Sequence, residues 1–394
     1  MARRDHRCQP CDAPSERYDG SIVGLDNLNN YYDVSLKEYR LRKLETLHTQ
    51  TVNSKQSTVN YQLVKGDLAD KALIDRLYAE HKFDIVVNLA AQAGVRYSID
   101  NPDANIQSNI IGFYNILEAC RHAKELARLS RAASDTFEES TRLNRPAPGQ
   151  SPKEKDLRDQ RDFASANEQE YQGVQHLVYA SSSSVYGGNK KVPFSVDDRV
   201  DNPVSLYAAT KKSNELMAHC YSKLYNIPST GLRFFTVYGP TGRPDMAYFG
   251  FTNKLLKGET IQIYNYGNCR RDFTYVDDIV EGIVRVMAKA PAKRNGEDGL
   301  PIPPYAVYNI GGGQPENLLD FVQTLQEELL RAGVLPQDYD FEAHKKLVPM
   351  QAGDVPVTYA DATALERDFG FTPKITLREG LRRFAEWYRS FYVK

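Results

Sequence analysis

Long apolar runs are missing from this chain of 394 residues. None approaches the roughly 18 apolar residues that cross a bilayer, so no membrane partner is expected. The start, Met1-Ala-Arg-Arg, leads into no apolar segment, which argues against a secretory signal. The net charge of −1 gives no reason to expect a nucleic-acid partner. Five cysteines form no disulfide framework and fit a reducing compartment, here expected to be the cytoplasm.

Residues 1–20 also lack any apolar strand pattern, and we expect them to form a polar segment unrelated to the rest. Their only motif is Cys8-Gln-Pro-Cys11. A zinc site would need a second pair of ligands, and a redox site would need a strand before the first cysteine. We therefore expect no metal and an unstructured tail.

The clearest chemical pattern that is present lies between residues 176 and 211. An apolar run over 177–180 predicts a buried strand of a parallel sheet, and four serines follow at its carboxyl end. Tyr207 and Lys211 are four residues apart in a helix-compatible run, so they share one helix face. Because a nearby ammonium lowers the pKa of a phenol, this pair predicts a general base.

The serine run followed by Tyr207 and Lys211 resembles the extended short-chain dehydrogenase/reductase family, in its NAD-dependent epimerase/dehydratase branch. The segment Gly242-Arg243-Pro-Asp-Met-Ala is similar to that of the UDP-glucuronate 4-epimerases. The resemblance covers most of the chain from Ser21 onward. It implies NAD as cofactor, a UDP-sugar as substrate, a possible homodimer, and epimerisation of UDP-glucuronate to UDP-galacturonate through a 4-keto sugar.

The same resemblance implies an α/β fold with two domains. A Rossmann-like, doubly wound parallel sheet is expected from residues 21–187, 204–235 and 272–310. A smaller, discontinuous UDP-sugar domain is expected from residues 188–203, 236–271 and 311–394. The mixed-charge stretch 124–172 is predicted to be an insertion, disordered or a loosely held helix, because it can bury little apolar surface. We expect it at the amino-terminal edge of the sheet, away from the ligands.

The glycine-rich turn that this family uses for the NAD diphosphate is missing. Residues 22–26 resemble the second strand of the fold, with Asp26 placed for the ribose hydroxyls. A first strand and its turn should stand roughly twenty residues earlier, since backbone N–H groups of that turn reach the diphosphate. The glycines found there are only Gly20 and Gly24. A truncated or replaced start, or impaired NAD binding, would explain this.

The resemblance assigns roles to further residues in three groups. The catalytic group is Tyr207 as the base, Lys211 as its partner on the cofactor ribose, and Ser182 with Ser183 at the sugar 4-oxygen. Besides Tyr207 and Lys211, the contacts to NAD are expected from Asp26, Asn27, Asn30, Asp67, Leu68, Leu89, Ala90, Ala91 and Asn109. The contacts to the UDP-sugar are expected from Arg96, Thr236, Arg243, Arg271, Gln351 and Asp354. The planar fork of Arg243 suits a carboxylate.

Three other functions were weighed. A 4,6-dehydratase would need an Asp-Glu pair where Ser183 and Ser184 stand, so it is rejected. A UDP-glucuronate decarboxylase is disfavoured by the pattern over 242–247, and a CO₂ assay would decide. A catalytically impaired or non-catalytic sugar-nucleotide binder is supported by the missing glycine turn and stays open.

Overall fold

The computed structural model of the chain describes residues 2–4, 20–54, 59–143, 171–351 and 354–393. Cys8, Cys11 and residues 144–170 of the predicted insertion lie outside these ranges. Within the described ranges, no helix is both long enough and apolar enough to span a bilayer.

The strands of the described residues are, in chain order, β1 (Ala2–Arg4), β2 (Gly20–Asp26), β3 (Val59–Lys65), β4 (Ile85–Asn88), β5 (His176–Ser182), β6 (Ser229–Phe234), β7 (Thr236–Tyr238), β8 (Ile261–Ile263), β9 (Arg270–Tyr275), β10 (Arg294–Asn295), β11 (Pro301–Ile302), β12 (Tyr305–Ile310), β13 (Pro315–Asn317) and β14 (Lys345–Leu347). The helices are α1 (Val34–Ser54), α2 (Lys71–His81), α3 (Tyr97–Asp100), α4 (Pro102–Asn105), α5 (Gly112–Leu143), α6 (Leu206–Tyr225), α7 (Ala247–Leu256), α8 (Val276–Met287), α9 (Leu318–Arg331), α10 (Thr363–Phe369) and α11 (Leu377–Tyr392).

Seven strands form the main sheet, in the order β12-β6-β5-β4-β1-β2-β3. Neighbours from β4 to β12 pair in parallel, and so do β2 and β3. Such strands are buried on both faces, as the apolar run in β5 predicts. The predicted α/β class with a parallel, Rossmann-like sheet is confirmed.

The central position of this sheet holds a strand that the sequence did not predict. β1 pairs antiparallel with the first residues of β2, from Ala2 opposite Ile22 to Arg4 opposite Gly20. It meets β4 at Ala2 opposite Ile85. The expectation of an unstructured tail is therefore wrong for residues 2–4. Strands pair through backbone groups, which every residue has. The sequence Ala-Arg-Arg has no apolar pattern that would have predicted a strand.

The direction of β1 matters for ligand binding. In a doubly wound sheet the central strand runs parallel to its neighbours and leads to the phosphate-binding turn at their carboxyl edge. β1 runs the other way and ends at Arg4, opposite Gly20 where β2 begins. It therefore leads the chain away from the edge at which a dinucleotide binds.

A three-stranded sheet, β13-β9-β7, forms beside the main one and packs on an aromatic core. The domain boundary predicted between residues 271 and 272 falls inside β9. Asp272 is buried there and accepts hydrogen bonds from the backbone N–H groups of Gly312, Gly313 and Ala360. These bonds tie β9 to the loops on either side of it.

The predicted insertion begins as a helix. α5 runs through the start of the predicted insertion at residue 124 to Leu143, because this stretch is rich in alanine, leucine and arginine, which favour helices. Ala127 is buried, and Arg131 donates to the Gln172 side chain at 2.8 Å, on the segment that leads into β5. As far as Leu143, the helical alternative is therefore the one observed.

We predict that Leu117→Ala on α5 lowers the free energy of unfolding by about 2–5 kcal/mol, because Leu117 is fully buried and its truncation leaves a cavity. Leu126 on the same helix is 61% exposed, so Leu126→Ala should cost no more than about 0.5 kcal/mol. Urea unfolding followed by circular dichroism measures both. Equal losses would mean that α5 does not pack as described.

Candidate active site

The end of β5 and the start of α6 set the geometry of the candidate site. Ser205 caps α6 by accepting a hydrogen bond from the Ala208 N–H at 3.1 Å, which fixes the helix start just before Tyr207. One turn after Tyr207, Lys211 donates from Nζ to the Ala180 carbonyl oxygen at 2.8 Å. The helix and the strand are thereby fastened at the level of the tyrosine.

The serines that follow β5 point to different places. The Ser182 hydroxyl accepts a bond from the Ser184 N–H at 3.2 Å, donates to the Ser184 hydroxyl at 3.1 Å, and lies near enough to the Tyr207 phenol to act to lower its pKa. Ser181 faces the other way and donates to Glu215 Oε1 at 2.7 Å. Ser183 lines the same cleft as Tyr207. Of the two predicted catalytic serines, Ser182 is therefore the one in contact with the phenol.

A buried ion pair lies beneath this arrangement. Glu215 is one turn beyond Lys211, and its two oxygens accept from Arg233 Nε at 2.8 Å and from a terminal nitrogen at 2.9 Å. Both side chains are almost fully buried. Burial acts to raise the pKa of Glu215, but the bonds from Arg233 outweigh it and hold the pKa below its ordinary value. The pair fixes α6 against β6, and so fixes where Tyr207 and Lys211 stand.

Sequence reasoning missed this pair. Glu215 follows Lys211 by four residues, so helical spacing could have placed it on the catalytic face. Arg233 gave no comparable signal, because its approach depends on the pairing of β6 with β5.

The pKa values of the two catalytic candidates differ from expectation. The Tyr207 ring is partly open to the cleft, but its hydroxyl is crowded, and this burial raises the pKa above 10.0 although Ser182 and Arg243 act to lower it. Burial lowers the pKa of Lys211 to about 8. We predicted that Lys211 lowers the pKa of Tyr207. This is wrong for the protein without cofactor, in which the pKa is raised. The Lys211 ammonium donates its hydrogen bond to the Ala180 carbonyl oxygen, and the positive charge that acts to lower the pKa of Tyr207 is that of Arg243.

A first cleft, of about 200 Å³, opens at the carboxyl ends of β2, β3 and β4. Most of the predicted NAD contacts line it, namely Asp26, Asn27, Asp67, Leu68, Leu89, Ala90 and Ala91. Asn27 donates to Asp67 Oδ2 at 2.8 Å, while Asp26 accepts from the Leu28 N–H at 2.7 Å. The structure therefore brings these seven residues together.

Four predicted NAD contacts do not line this cleft: Tyr207 and Lys211 line the second cleft described below, and Asn30 and Asn109 line neither. Asn30 is exposed in the turn before α1. Asn109 is buried in a π-helical turn, where it accepts from the Gln92 N–H at 2.8 Å and donates to the Thr210 hydroxyl at 3.0 Å. Asn109 therefore fastens the loop after β4 to α6, and it acts on the site through that loop.

A second cleft, of about 540 Å³, holds Ser182, Ser183, Tyr207, Lys211 and Thr236. Arg243 lines both clefts, as do Leu89, Ala91 and Ala93, so the two clefts adjoin along these residues. Its Nε lies 3.3 Å from Asp245 Oδ1. The remaining predicted substrate contacts lie apart from both clefts.

That separate group lies around the segment 351–354. Arg96 pairs with Asp354 at 3.4 Å and lies over the Tyr264 ring. The Asp354 N–H donates to the Gln351 carbonyl oxygen at 3.2 Å, and the Gln351 Oε1 atom is buried without a hydrogen-bond partner among the described residues. Arg271 donates to the Pro356 carbonyl oxygen at 3.0 Å. The structure thus brings Arg96, Gln351 and Asp354 together.

The chain belongs to the NAD dependent epimerase/dehydratase family, whose model matches residues 19–311. It is 45% identical over 377 residues to an Escherichia coli O111:H- protein, described as an uncharacterized 37.6 kDa protein in the cld 5' region, covering 94% of this chain and 92% of that protein. It is 39% identical over 378 residues to a probable UDP-glucuronate 4-epimerase of Rhizobium meliloti, covering 94% and 90%.

A solved structure also resembles the chain. It is that of the UDP-glucuronic acid 4-epimerase from Bacillus cereus in complex with UDP-glucuronic acid and NAD. The TM-score is 0.67 at 25% identity, covering 94% of this chain and 92% of that one. The family that the motifs indicate is therefore confirmed, and the match begins where the predicted polar segment ends.

We predict that the low pKa of Lys211 makes stability depend on pH. Between the folded value of about 8 and the ordinary 10.5, the unfolded chain binds more protons, so the free energy of unfolding rises with pH. The Lys211→Met variant has no ammonium to bury, so it lacks the free-energy cost of burying that charge. Its advantage over the wild type should therefore shrink by up to about 3 kcal/mol as the pH rises through that window.

Urea unfolding at several pH values measures the difference. Lys223→Met, which removes an exposed lysine from the same helix, sets the baseline. A difference between wild type and Lys211→Met that stays constant from neutral pH to pH 10.5 would contradict the burial of the ammonium.

Proposed function

We propose that the chain catalyses the NAD-dependent 4-epimerisation of UDP-glucuronate to UDP-galacturonate. The observation that carries the proposal is one cleft that holds the Tyr207 phenol, the Ser182 hydroxyl bonded to it, and the Arg243 guanidinium. A base for a sugar hydroxyl and a cation for a sugar carboxylate are what this reaction needs. The names of the relatives from Rhizobium meliloti and Bacillus cereus support the same substrate.

The residues present fit both ends of NAD. Asp26 at the end of β2 suits ribose hydroxyls, and Leu68 and Leu89 offer apolar surface to a base. Lys211 and Tyr207 suit the ribose at the nicotinamide end. When bound, NAD would accept hydride from the sugar and return it. The sequence of residues 5–19, between β1 and β2, contains no glycine, so no residues present fit the NAD diphosphate in the way that a glycine-rich turn would.

Tyr207 takes the proton of the sugar 4-hydroxyl in this scheme. Its phenol must first lose its own proton, which burial opposes. The hydrogen bond from Ser182 and the charge of Arg243 both favour the phenolate. Ser182 thus serves the base as well as the sugar oxygen.

Arg243 and Thr236 hold the sugar carboxylate in this proposal. A 4-keto sugar acid is a β-keto acid that loses CO₂ readily, so a fixed carboxylate is needed for epimerisation to compete. The planar guanidinium can bind both carboxylate oxygens at once. Decarboxylation is therefore the side reaction that this contact suppresses.

A second candidate function, a sugar-nucleotide binder with little or no turnover, is favoured by the direction of β1. A central strand that leads away from the carboxyl edge supplies no diphosphate cradle there.

We place either function in the cytoplasm, where Cys120, Cys220 and Cys269, all unpaired, stay reduced. A homodimer is the assembly we expect.

We predict that incubation with UDP-glucuronate and NAD⁺ yields UDP-galacturonate, separated by anion-exchange chromatography. Tyr207→Phe should lower the rate by roughly a hundredfold to ten-thousandfold, because the base is removed. Tyr225→Phe, which changes an exposed tyrosine on the same helix, should leave it unchanged. Undiminished activity in Tyr207→Phe would remove the mechanism, and CO₂ with a UDP-pentose as the main products would favour the decarboxylase.

We predict that the purified protein retains little NAD, because its cradle is incomplete, and that added NAD⁺ restores turnover in a saturable way. Absorbance after denaturation measures the retained nucleotide. Asp26→Ala should raise the NAD⁺ concentration needed by about tenfold or more, through lost ribose hydrogen bonds. Nearly one NAD per chain after purification would contradict this prediction.

A further inference from the structure

The loop that carries Arg243 is held from the opposite side of the cleft by α1. Arg40 donates from one terminal nitrogen to the carbonyl oxygens of Thr241 and of Gly242, the latter at 3.1 Å. Its other terminal nitrogen donates to the Tyr32 hydroxyl at 2.6 Å. Arg40 belongs to the helix after β2, so one side chain connects the NAD side of the cleft to the residues just before Arg243.

The loop itself is tightly constrained. Thr241 has φ of 54°, a conformation that β-branched residues rarely adopt unless their surroundings hold them. A Cβ added to Gly242 would lie 1.7 Å from the Tyr248 hydroxyl. Tyr248 in turn donates to the Gly239 carbonyl oxygen at 3.2 Å. The backbone that sets the direction of the Arg243 side chain therefore depends on contacts from outside the loop.

A second contact reinforces the first. Tyr31 donates to Asp245 Oδ2 at 3.3 Å, and the other oxygen of Asp245 faces Arg243 at 3.3 Å. The segment that includes Tyr31 and Arg40 thus holds the loop on both sides of Arg243. The hydrogen-bond partners described for Arg40 are two carbonyls and a phenol, all neutral.

We propose that Arg40 is a positioning residue that orients Arg243, and that this orientation gives the site its preference for a sugar carboxylate over a neutral sugar. The inference rests on the proposed function, which it deepens. Arg40 does not line either cleft, so it acts through the loop. If Arg40 only stabilised the packing of α1 against the loop, its loss would weaken the binding of UDP-glucuronate and of UDP-glucose equally.

The test measures the dissociation constants of UDP-glucuronate and UDP-glucose by calorimetry, with the full chain and NAD⁺ present. A Tyr207→Phe background prevents turnover. The wild-type ratio should favour UDP-glucuronate, and Arg40→Gln should lower that ratio by roughly tenfold, which corresponds to about 1.4 kcal/mol. Arg42→Gln is the matched control, because Arg42 lies two residues on and is exposed beside Glu38. An unchanged ratio in Arg40→Gln overturns the proposal.

Two further variants separate positioning from general damage. Arg243→Gln should lower the ratio alone, and adding Arg40→Gln to it should change little more, since Arg40 acts through Arg243. Fully additive losses overturn the proposal. Arg40→Lys keeps the charge but cannot reach both carbonyls and Tyr32 together, so an intermediate ratio is expected. If Arg40→Gln fails to fold, the ratio measured for Arg40→Lys decides the test instead.

Epimer formation by the wild type is measured separately. A wild type that prefers UDP-glucuronate but forms no epimer contradicts the proposed function, and the Arg40 comparison still decides the inference. A wild type that shows no preference between the two sugars contradicts the inference, even where epimer forms.

Discussion

Two fastenings between α6 and the main sheet determine the rest of the site. Lys211 is bonded to the Ala180 carbonyl, and Glu215 is clamped by Arg233 and Ser181. Buried charged groups are costly unless they are fully paired, so neither fastening can slide without leaving a charge unsatisfied. This constraint fixes the helix turn that carries Tyr207. The proposed proton transfer at the sugar oxygen therefore depends on these buried contacts.

The cofactor side is less complete than the substrate side. Seven predicted residues gather at the carboxyl ends of β2, β3 and β4, yet the central strand between them runs in reverse. In our proposal, the binding energy for the cofactor comes mainly from its two ends. Arg243 lines both clefts, and Arg40 of α1 bonds the carbonyl oxygens of the two residues before it.

Local patterns allowed much of this to be predicted. The strand before the serines and the helix that carries Tyr207 and Lys211 follow from apolar runs and four-residue spacing. What failed depends on distant parts of the chain. β1 pairs through backbone groups alone, and Arg40 meets a loop 201 residues away. The prediction of a lowered pKa for Tyr207 failed for a similar reason. The folded cleft buries the hydroxyl, and this burial raises the pKa by more than the charge of Arg243 lowers it.

The central claim is that Tyr207 handles only the proton on the sugar oxygen, while the hydrogen on C4 leaves and returns as hydride. UDP-glucuronate carrying deuterium at C4 tests it most directly, by mass spectrometry of the product formed in ordinary water. The account predicts that UDP-galacturonate keeps the deuterium at C4. Loss of the label to solvent would mean that C4 exchanges a proton, and would contradict the account.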